Sequence, residues 1–345
     1  MDRPETRLNH GEHVLDSIQS TATAPVARLN RRRVPILGAC LELGAGTRGT
    51  LMGPMALRTA GIARVLADLG HEVSDHGTLW EAEAIAPGLA PAAAGRCRFL
   101  PEITGWTRRL HDHAYGMAAG GAVPVFLGGD HSISMGTISG VARACRERGR
   151  ELVILWIDAH ADYNTPETSP SGNMHGMALA FLAGEESLAP LLAGRPFHPV
   201  SPGNIHLFGA RSVDPGEKAR LVAHGIDTVD MRRIDECGVS ALLAERIEGW
   251  RARGVHLHVS FDVDFLDPAV APGTGTVVPG GATYREAHLV MEMLCDSGLV
   301  GSVDVVELNP FLDERGRTAV AATELVASLF GRTVLDRQPG AVAAG

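Results

Sequence analysis

The stretch Leu-Val-Ile-Leu-Trp-Ile-Asp-Ala-His-Ala-Asp, at positions 152–162, leads from an apolar run directly into a cluster of metal-binding side chains. Six consecutive apolar residues are typical of a strand that is covered on both faces of a parallel sheet. Side chains of an extended chain alternate in direction, so Asp158, His160 and Asp162 can converge on one point. The stretch therefore predicts a core strand with a ligand-binding site at its carboxyl end.

Five further apolar runs indicate the other strands of a mostly parallel sheet, at 34–37, 123–127, 205–208, 255–261 and 303–306. The run at 255–261 is the least apolar because it contains His256 and His258. Helical patterns separate the runs, at about 54–69, 103–119, 133–148, 216–224, 239–253, 284–297 and 317–330. This alternation predicts an α/β fold with helices on both faces of the sheet. We expect one domain at 34–332, between a flexible leader at 1–33 and a tail at 333–345.

Two other motifs place further ligands at the carboxyl ends of predicted strands. Gly-Gly-Asp-His-Ser at 128–132 supplies His131, and Ser-Phe-Asp-Val-Asp at 260–264 supplies Asp262 and Asp264. Together with the first motif, they offer two imidazoles and four carboxylates.

This set of carboxylates requires a compensating positive charge. Two like charges about 4 Å apart repel by roughly 1 kcal/mol in water, and by about 4 kcal/mol at an effective dielectric near 20. The three motifs contain no Lys, so we expect two divalent cations side by side. Oxygen ligands with two imidazoles and no thiolate favour Mn²⁺ over a structural Zn²⁺, with Fe²⁺, Co²⁺ or Ni²⁺ as alternatives. Paired cations of this kind ionise water, which indicates a hydrolase.

The composition argues against several other classes of protein. The 345 residues carry a net charge of −9, and the only basic cluster is Arg31-Arg32-Arg33, so we expect no nucleic-acid partner. No apolar run reaches the roughly 18 residues of a membrane span, and the acidic N-terminal region is unlike a signal or transit peptide. Five scattered cysteines fit reduced thiols in a cytoplasmic protein.

Two local features are not assigned to ligand binding. Gly-Ala-Gly-Thr-Arg-Gly at 44–49 formally matches a dinucleotide fingerprint. Such a fingerprint opens a helix at once, whereas here Pro54 is the better helix start, so we expect a tight loop. Asp130 is expected to orient His131 or to cap the next helix, and is not counted as a metal ligand.

With these motifs, the chain resembles the arginase branch of the ureohydrolases over roughly residues 34–332. Further matching segments are Arg-Ser-Val-Asp-Pro-Gly-Glu, Gly-Thr-Gly-Thr, Val-Glu-Leu-Asn-Pro and the loop that ends in Ser-Gly-Asn-Met-His-Gly, at 211–217, 273–276, 306–310 and 164–176. The resemblance implies a three-layer α-β-α sandwich, two Mn²⁺ ions per subunit, and assembly into homotrimers or homohexamers.

The resemblance also implies a ligand set for each ion and a reaction. One ion would be held by His131, Asp158, Asp162 and Asp262, and the other by His160, Asp158, Asp262 and Asp264. The reaction would be hydrolysis of L-arginine to L-ornithine and urea, by attack of a metal-bridging hydroxide on the guanidinium carbon. Glu307 matches the acid that pairs with the guanidinium group, His175 matches the proton shuttle, and Asp162 counts as both ligand and catalytic residue.

A second group of residues matches the family's positions for the amino-acid head of the substrate. Hydrogen bonds to the α-carboxylate are implied for Asn164, Ser169 and Ser171, with Asn173 as a further candidate. Contacts with the α-ammonium group are implied for Asp214 and, through water, for Glu217. Ser169 departs from the threonine often found at its position but keeps a hydroxyl. Thr276 is a candidate near the substrate, or a residue that only shapes its loop.

Other interpretations stay open at this point. A polar loop of Ser, Asn and Thr can simply be a flexible surface loop. Agmatinases and other ureohydrolases act on guanidines without the complete amino-acid head of arginine. A non-enzymatic protein that binds metal or arginine on the same scaffold is a third possibility.

Overall fold

The sheet at the centre of the molecule is parallel throughout. The computed structural model describes residues 31–335. Its strands are β1 (Arg33–Ala39), β2 (Glu72–Leu79), β3 (Val125–Leu127), β4 (Leu152–Ile157), β5 (Ile205–Ala210), β6 (Asp227–Asp230), β7 (His256–Asp262) and β8 (Val300–Val306). Hydrogen bonds join them in the order β2-β1-β3-β8-β7-β4-β5-β6, and each neighbouring pair is parallel.

Helices cover both faces of this sheet. Within residues 31–335 the α-helices are α1 (Gly53–Thr59), α2 (Ile62–Asp68), α3 (Pro91–Ala94), α4 (Leu100–Ala119), α5 (Ile133–Glu147), α6 (Ala178–Leu182), α7 (Pro215–His224), α8 (Met231–Cys237), α9 (Val239–Arg253), α10 (Tyr284–Ser297) and α11 (Arg317–Leu329). In β4, Val153 and Leu155 face the core formed with α9, α10 and α11, whereas Ile154 and Trp156 face the core formed with α4 and α5. This alternation confirms the predicted three-layer sandwich.

The two edge strands were not predicted from the sequence. Most of β2 is exposed, and β6 has only four residues, so neither contains the apolar run that identifies a covered strand. The predicted helix at 54–69 is two helices, α1 and α2, because Gly61 between them adopts a φ of 90°. The short helix α8 was also missed.

Parts of the predicted termini lie outside the described residues. These are residues 1–30 of the expected leader and 336–345 of the expected tail; Arg33, the last residue assigned to the leader, begins β1. The proposed division into leader, domain and tail stays a prediction. Across residues 31–335, the helices lack the combination of length and apolar character that crossing a bilayer requires.

The order of the strands brings the metal-binding motifs to one edge of the sheet. The neighbours β3, β8, β7 and β4 lie at its centre, and their carboxyl ends lead into the segments that contain His131, Glu307, Asp262 and Asp158 respectively. Ile157 pairs with Phe261, so the acids that follow them are neighbours as well. Parallel pairing therefore brings together segments that lie far apart in the sequence.

Candidate metal centre and adjoining cavity

His131 is the centre of the first ligand group. Its Nδ1 lies 3.1 Å from Asp158 Oδ2, and 3.2 Å from both Asp162 Oδ2 and Asp262 Oδ2. The four side chains are almost completely buried, with Asp162 the most exposed at 7%. Although three carboxylate oxygens surround it, Nδ1 makes no hydrogen bond. A buried ring nitrogen without a hydrogen bond, facing three carboxylates, fits a metal ligand.

His160 is the centre of the second group. Its Nδ1 lies 3.0 Å from Asp264 Oδ2 and 3.4 Å from Asp158 Oδ1. Asp158 thus presents one oxygen to each histidine, as expected of a bridging ligand. Asp262 presents Oδ2 to the first group, and its Oδ1 accepts a 2.8 Å hydrogen bond from the Asp264 N–H.

The electrostatics of the cluster also fit divalent cations. Burial, together with the charge of Asp158, raises the pKa of Asp162 and Asp264. Burial and the charges of Asp264 and Asp158 raise the pKa of Asp262 well above its usual value. These carboxylates therefore favour a proton or another positive charge nearby, and cations held between them would supply that charge.

A cavity of about 140 Å³ opens beside the two ligand groups. Three of the predicted ligands line it, namely His160, Asp162 and Asp262. All of the predicted substrate-binding residues line it as well, together with His175: Asn164, Ser169, Ser171, Asn173, Asp214, Glu217 and Thr276. The structure therefore brings together residues that are more than 100 positions apart in the sequence.

Two acids form one wall of this cavity. Asp214 immediately precedes α7. Its backbone N–H donates a 3.2 Å hydrogen bond to Glu217 Oε2. Glu217 Oε1 accepts a 2.7 Å hydrogen bond from the N–H of Tyr163. Burial, with smaller contributions from Asp162 and Asp214, raises the pKa of Glu217 to about 7. This wall can accept hydrogen bonds from a cationic group.

The loop at 164–173 forms a second wall of the cavity and is ordered by its own hydrogen bonds. Ser169 Oγ accepts from the N–H of Gly172 at 3.0 Å, and Ser171 Oγ accepts from the N–H of Asn173 at 3.2 Å. Asn164 Nδ2 donates to Asp214 Oδ2 at 3.1 Å, which connects the two walls. The hydroxyl protons of both serines remain available to an anionic ligand.

Two residues make contacts beyond those considered in the sequence analysis. Thr276 donates a 2.9 Å hydrogen bond to Asp264 Oδ2, so it contacts a candidate metal ligand as well as the cavity. Asp130 Oδ2 accepts from the N–H groups of Gly44 and Ala45 at 2.6 and 3.1 Å. Asp130 therefore holds the glycine-rich loop, which is a structural role that was not foreseen.

Glu307 and His175 form a pair next to the first ligand group. Glu307 Oε1 accepts from the N–H of His131 at 2.8 Å and lies 2.9 Å from His175 Nδ1. Although burial opposes the charged form of His175, Glu307 and then Asp162 raise its pKa to about 9. Glu307 is 1% exposed and does not line the cavity.

Glu307 and Asp162 both have positive φ angles, of 61° and 47°.

Comparison with known proteins agrees with this arrangement. The model of the arginase family matches residues 32–331. The arginase of Agrobacterium fabrum is 51% identical over 306 residues, which are 88% of this chain and 92% of that protein. The chain belongs to the arginase family. It is therefore a hydrolase, and the resemblance noted in its sequence is confirmed.

Solved structures of the arginase family have the same fold. The arginase of Bacillus caldovelox superimposes with a TM-score of 0.80 at 38% identity, covering 88% of this chain and all of that one. The Entamoeba histolytica arginase in complex with L-ornithine superimposes with a TM-score of 0.77 at 30% identity, covering 88% and 99%.

Two neighbours of this arginase-family site were not identified from the sequence. The ring of Trp156 stacks on His131 with centroids 3.9 Å apart, and its Nε1 donates to Asp158 Oδ2 at 2.9 Å. Ser260 Oγ lies 2.8 Å from His131 Nε2. A signal for both was present, because each precedes a predicted ligand by two positions and so lies on the same side of its strand.

Proposed function

We propose that the protein hydrolyses L-arginine to L-ornithine and urea with two Mn²⁺ ions. Asp158, with one oxygen towards each histidine, would bridge the ions, and the proposal also assigns a bridging role to Asp262. When bound, the ions would supply an ionised water molecule as the nucleophile. The oxygen-rich ligand set supports Mn²⁺.

The residues of the chain would bind and orient the substrate. The guanidinium group would lie beside the ligand groups. Glu307, which is buried and does not itself line the cavity, would pair with it through Oε2, since both observed contacts of this side chain are made by Oε1. The α-carboxylate would accept hydrogen bonds from Asn164, Ser169 and Ser171, with Asn173 nearby. The α-ammonium group would lie against Asp214 and, through water, Glu217.

His175 is the proposed source of the proton for the departing amine. It lines the cavity, and its Nδ1 is oriented by Glu307. A histidine held in this way can transfer a proton to a leaving group from a fixed position. Asp162 would contribute to the reaction through the metal that it binds.

The observation that carries the proposal is the composition of the cavity beside the ligand groups. Its lining combines metal-ligand candidates, acids and hydroxyl donors, and arginine has a cation at one end and both charges at the other. The test is urea release by Mn²⁺-loaded protein from L-arginine, agmatine and D-arginine. We expect turnover of L-arginine far above both others. Comparable turnover of agmatine would refute the assignment of the carboxylate-binding wall.

The second candidate is an agmatinase or another ureohydrolase, and the same comparison of substrates distinguishes it. A non-enzymatic protein would bind arginine without releasing urea. The expected homotrimer or homohexamer and the cytoplasmic location stay predictions.

A further inference from the structure

One buried polar cluster has no role in the reaction proposed above. On β7 and β8, the side chains of His258, Ser260 and Asp304 are completely buried. They lie on the face of the sheet covered by α5, where Ser134 and Thr137 meet them. A carboxylate that is removed from water costs far more free energy than an apolar side chain of similar size. The fold alone therefore does not explain Asp304.

The hydrogen bonds of this cluster form a continuous chain that ends at a candidate metal ligand. Ser134 Oγ donates to Asp304 Oδ2 at 2.6 Å. Ser134 Oγ also lies 3.5 Å from Ser260 Oγ, and Ser260 Oγ lies 2.8 Å from His131 Nε2. Ser260 and Asp304 are register partners on adjacent strands, so the sheet itself keeps these groups side by side.

The chemistry of the hydroxyl groups gives this chain one direction. A serine hydroxyl has a single proton. Because Ser134 gives its proton to Asp304, it can only accept from Ser260. Ser260 Oγ can give its single proton either to Ser134 or to His131 Nε2, and the chain to Asp304 stays connected only when Ser134 receives it and His131 Nε2 is the donor. His131 Nε2 must then be the protonated ring nitrogen, and Nδ1, which faces Asp158, Asp162 and Asp262, is left with its lone pair.

We propose that Asp304 is a positioning residue for His131, acting through Ser134 and Ser260 to fix the tautomer and orientation that metal binding requires. Partners of this kind, one contact removed from the metal, typically change its affinity by 10- to 100-fold. The carboxylate lies two hydroxyl groups further out, so we expect an effect of about tenfold, near the lower end of that range. The inference rests on the proposed metal site.

The same oxygen of Asp304 offers a matched control. Thr137 Oγ1 donates to Asp304 Oδ2 at 2.8 Å, but the contacts of Thr137 do not lead to His131. His258 Nε2 lies 3.4 Å from this oxygen on the other side. If Asp304 serves only to satisfy polar groups in the core, removing either hydroxyl donor should have the same effect on metal binding.

The experiment compares Ser134→Ala with Thr137→Val. Each protein is dialysed against a series of buffered free Mn²⁺ concentrations, and bound Mn²⁺ per subunit is measured by atomic absorption. We expect Ser134→Ala to weaken one of the two sites about tenfold, and Thr137→Val to leave both within twofold of the wild type. Equal affinities in the two variants, whether reduced or not, would overturn the proposal.

Two further measurements keep the test decisive. Asp304→Asn, which preserves the shape of the side chain, should also weaken one site, and it replaces Ser134→Ala if that variant does not fold. Thermal unfolding of the metal-free proteins shows whether either hydroxyl variant loses more stability than its lost hydrogen bonds account for, which are two for Ser134→Ala and one for Thr137→Val. If the wild type itself does not bind two Mn²⁺ ions or does not release urea, the proposed function fails, independently of the comparison between variants.

Discussion

Replacing Asp214 with Asn tests how the cavity recognises the amino-acid head of its substrate. Asn is as effective as Asp before the first turn of a helix, so α7 should keep its start. The variant loses the negative charge that would meet the α-ammonium group. A hydrogen bond to a charged group contributes about 1.5–3 kcal/mol. Asp214 is only half-buried, and the buried Glu217 keeps a second acid in the lining of the cavity. The lower value therefore applies, and it corresponds to a roughly tenfold loss of kcat/KM.

The assay compares L-arginine with 5-guanidinopentanoate, which lacks the α-amino group but keeps the carboxylate. We expect kcat/KM to fall about tenfold on L-arginine and to change little on 5-guanidinopentanoate, because only the first substrate presents an ammonium group at this wall. Thermal unfolding of the variant serves as the control for helix α7. An equal loss on both substrates, with unchanged stability, would show that Asp214 does not recognise the ammonium group.

Three other changes test separate parts of the account. His175→Asn should lower kcat by about 10²- to 10⁴-fold with a smaller change in KM, and added imidazole should restore part of it; full activity without imidazole would exclude the proton-transfer role. Asp262→Ala should abolish turnover and reduce bound Mn²⁺ below two ions per subunit, and an active variant with full metal content would contradict the two-ion site. Burial lowers the pKa of His256 to about 3, so between this value and the unfolded pKa near 6.5 only the unfolded chain binds the proton. The stability that the neutral ring provides is therefore complete above the unfolded pKa and is lost as the pH falls towards the folded one. That loss is about 2 kcal/mol by pH 5. Urea unfolding at pH 7 and pH 5 measures this loss of unfolding free energy. His256→Gln should make the free energy of unfolding depend less on pH, and an unchanged pH dependence would show that His256 is not its source.

The sequence predicted the centre of the fold well because its central strands are covered on both faces. The run at 152–157 coincides with β4, and the predicted helix at 284–297 coincides with α10. The edge strand β2 was not predicted, since one side of an edge strand faces solvent and its composition is polar. The break at Gly61 was also missed, because a single glycine in a helical pattern is usually tolerated.

The ligand motifs were predictable because alternation within a strand places their side chains on one side. Contacts across strands were not predictable in this way. Alternation placed Ser260 on the ligand side of β7, but its contact with His131 depends on how the segment between β3 and α5 lies against β7. Likewise, the sequence offered Thr276 as a substrate-binding candidate or a loop residue, and its hydrogen bond to Asp264 follows from the path of the chain between β7 and α10. Such contacts are properties of packing, which the local pattern of a sequence does not encode.

The left-handed backbone at Asp162 and Glu307 sets stability against the catalytic roles that we propose for these two acids. A residue with a β-carbon gives up about 1–2 kcal/mol in this conformation, and glycine gives up almost nothing. A display library sorted for protease resistance should therefore accumulate glycine or asparagine at these two positions. The same library sorted for turnover should keep both acids. The proposed roles of the two carboxylates would then account for both backbone angles, because stability is lost to keep an acid at each position.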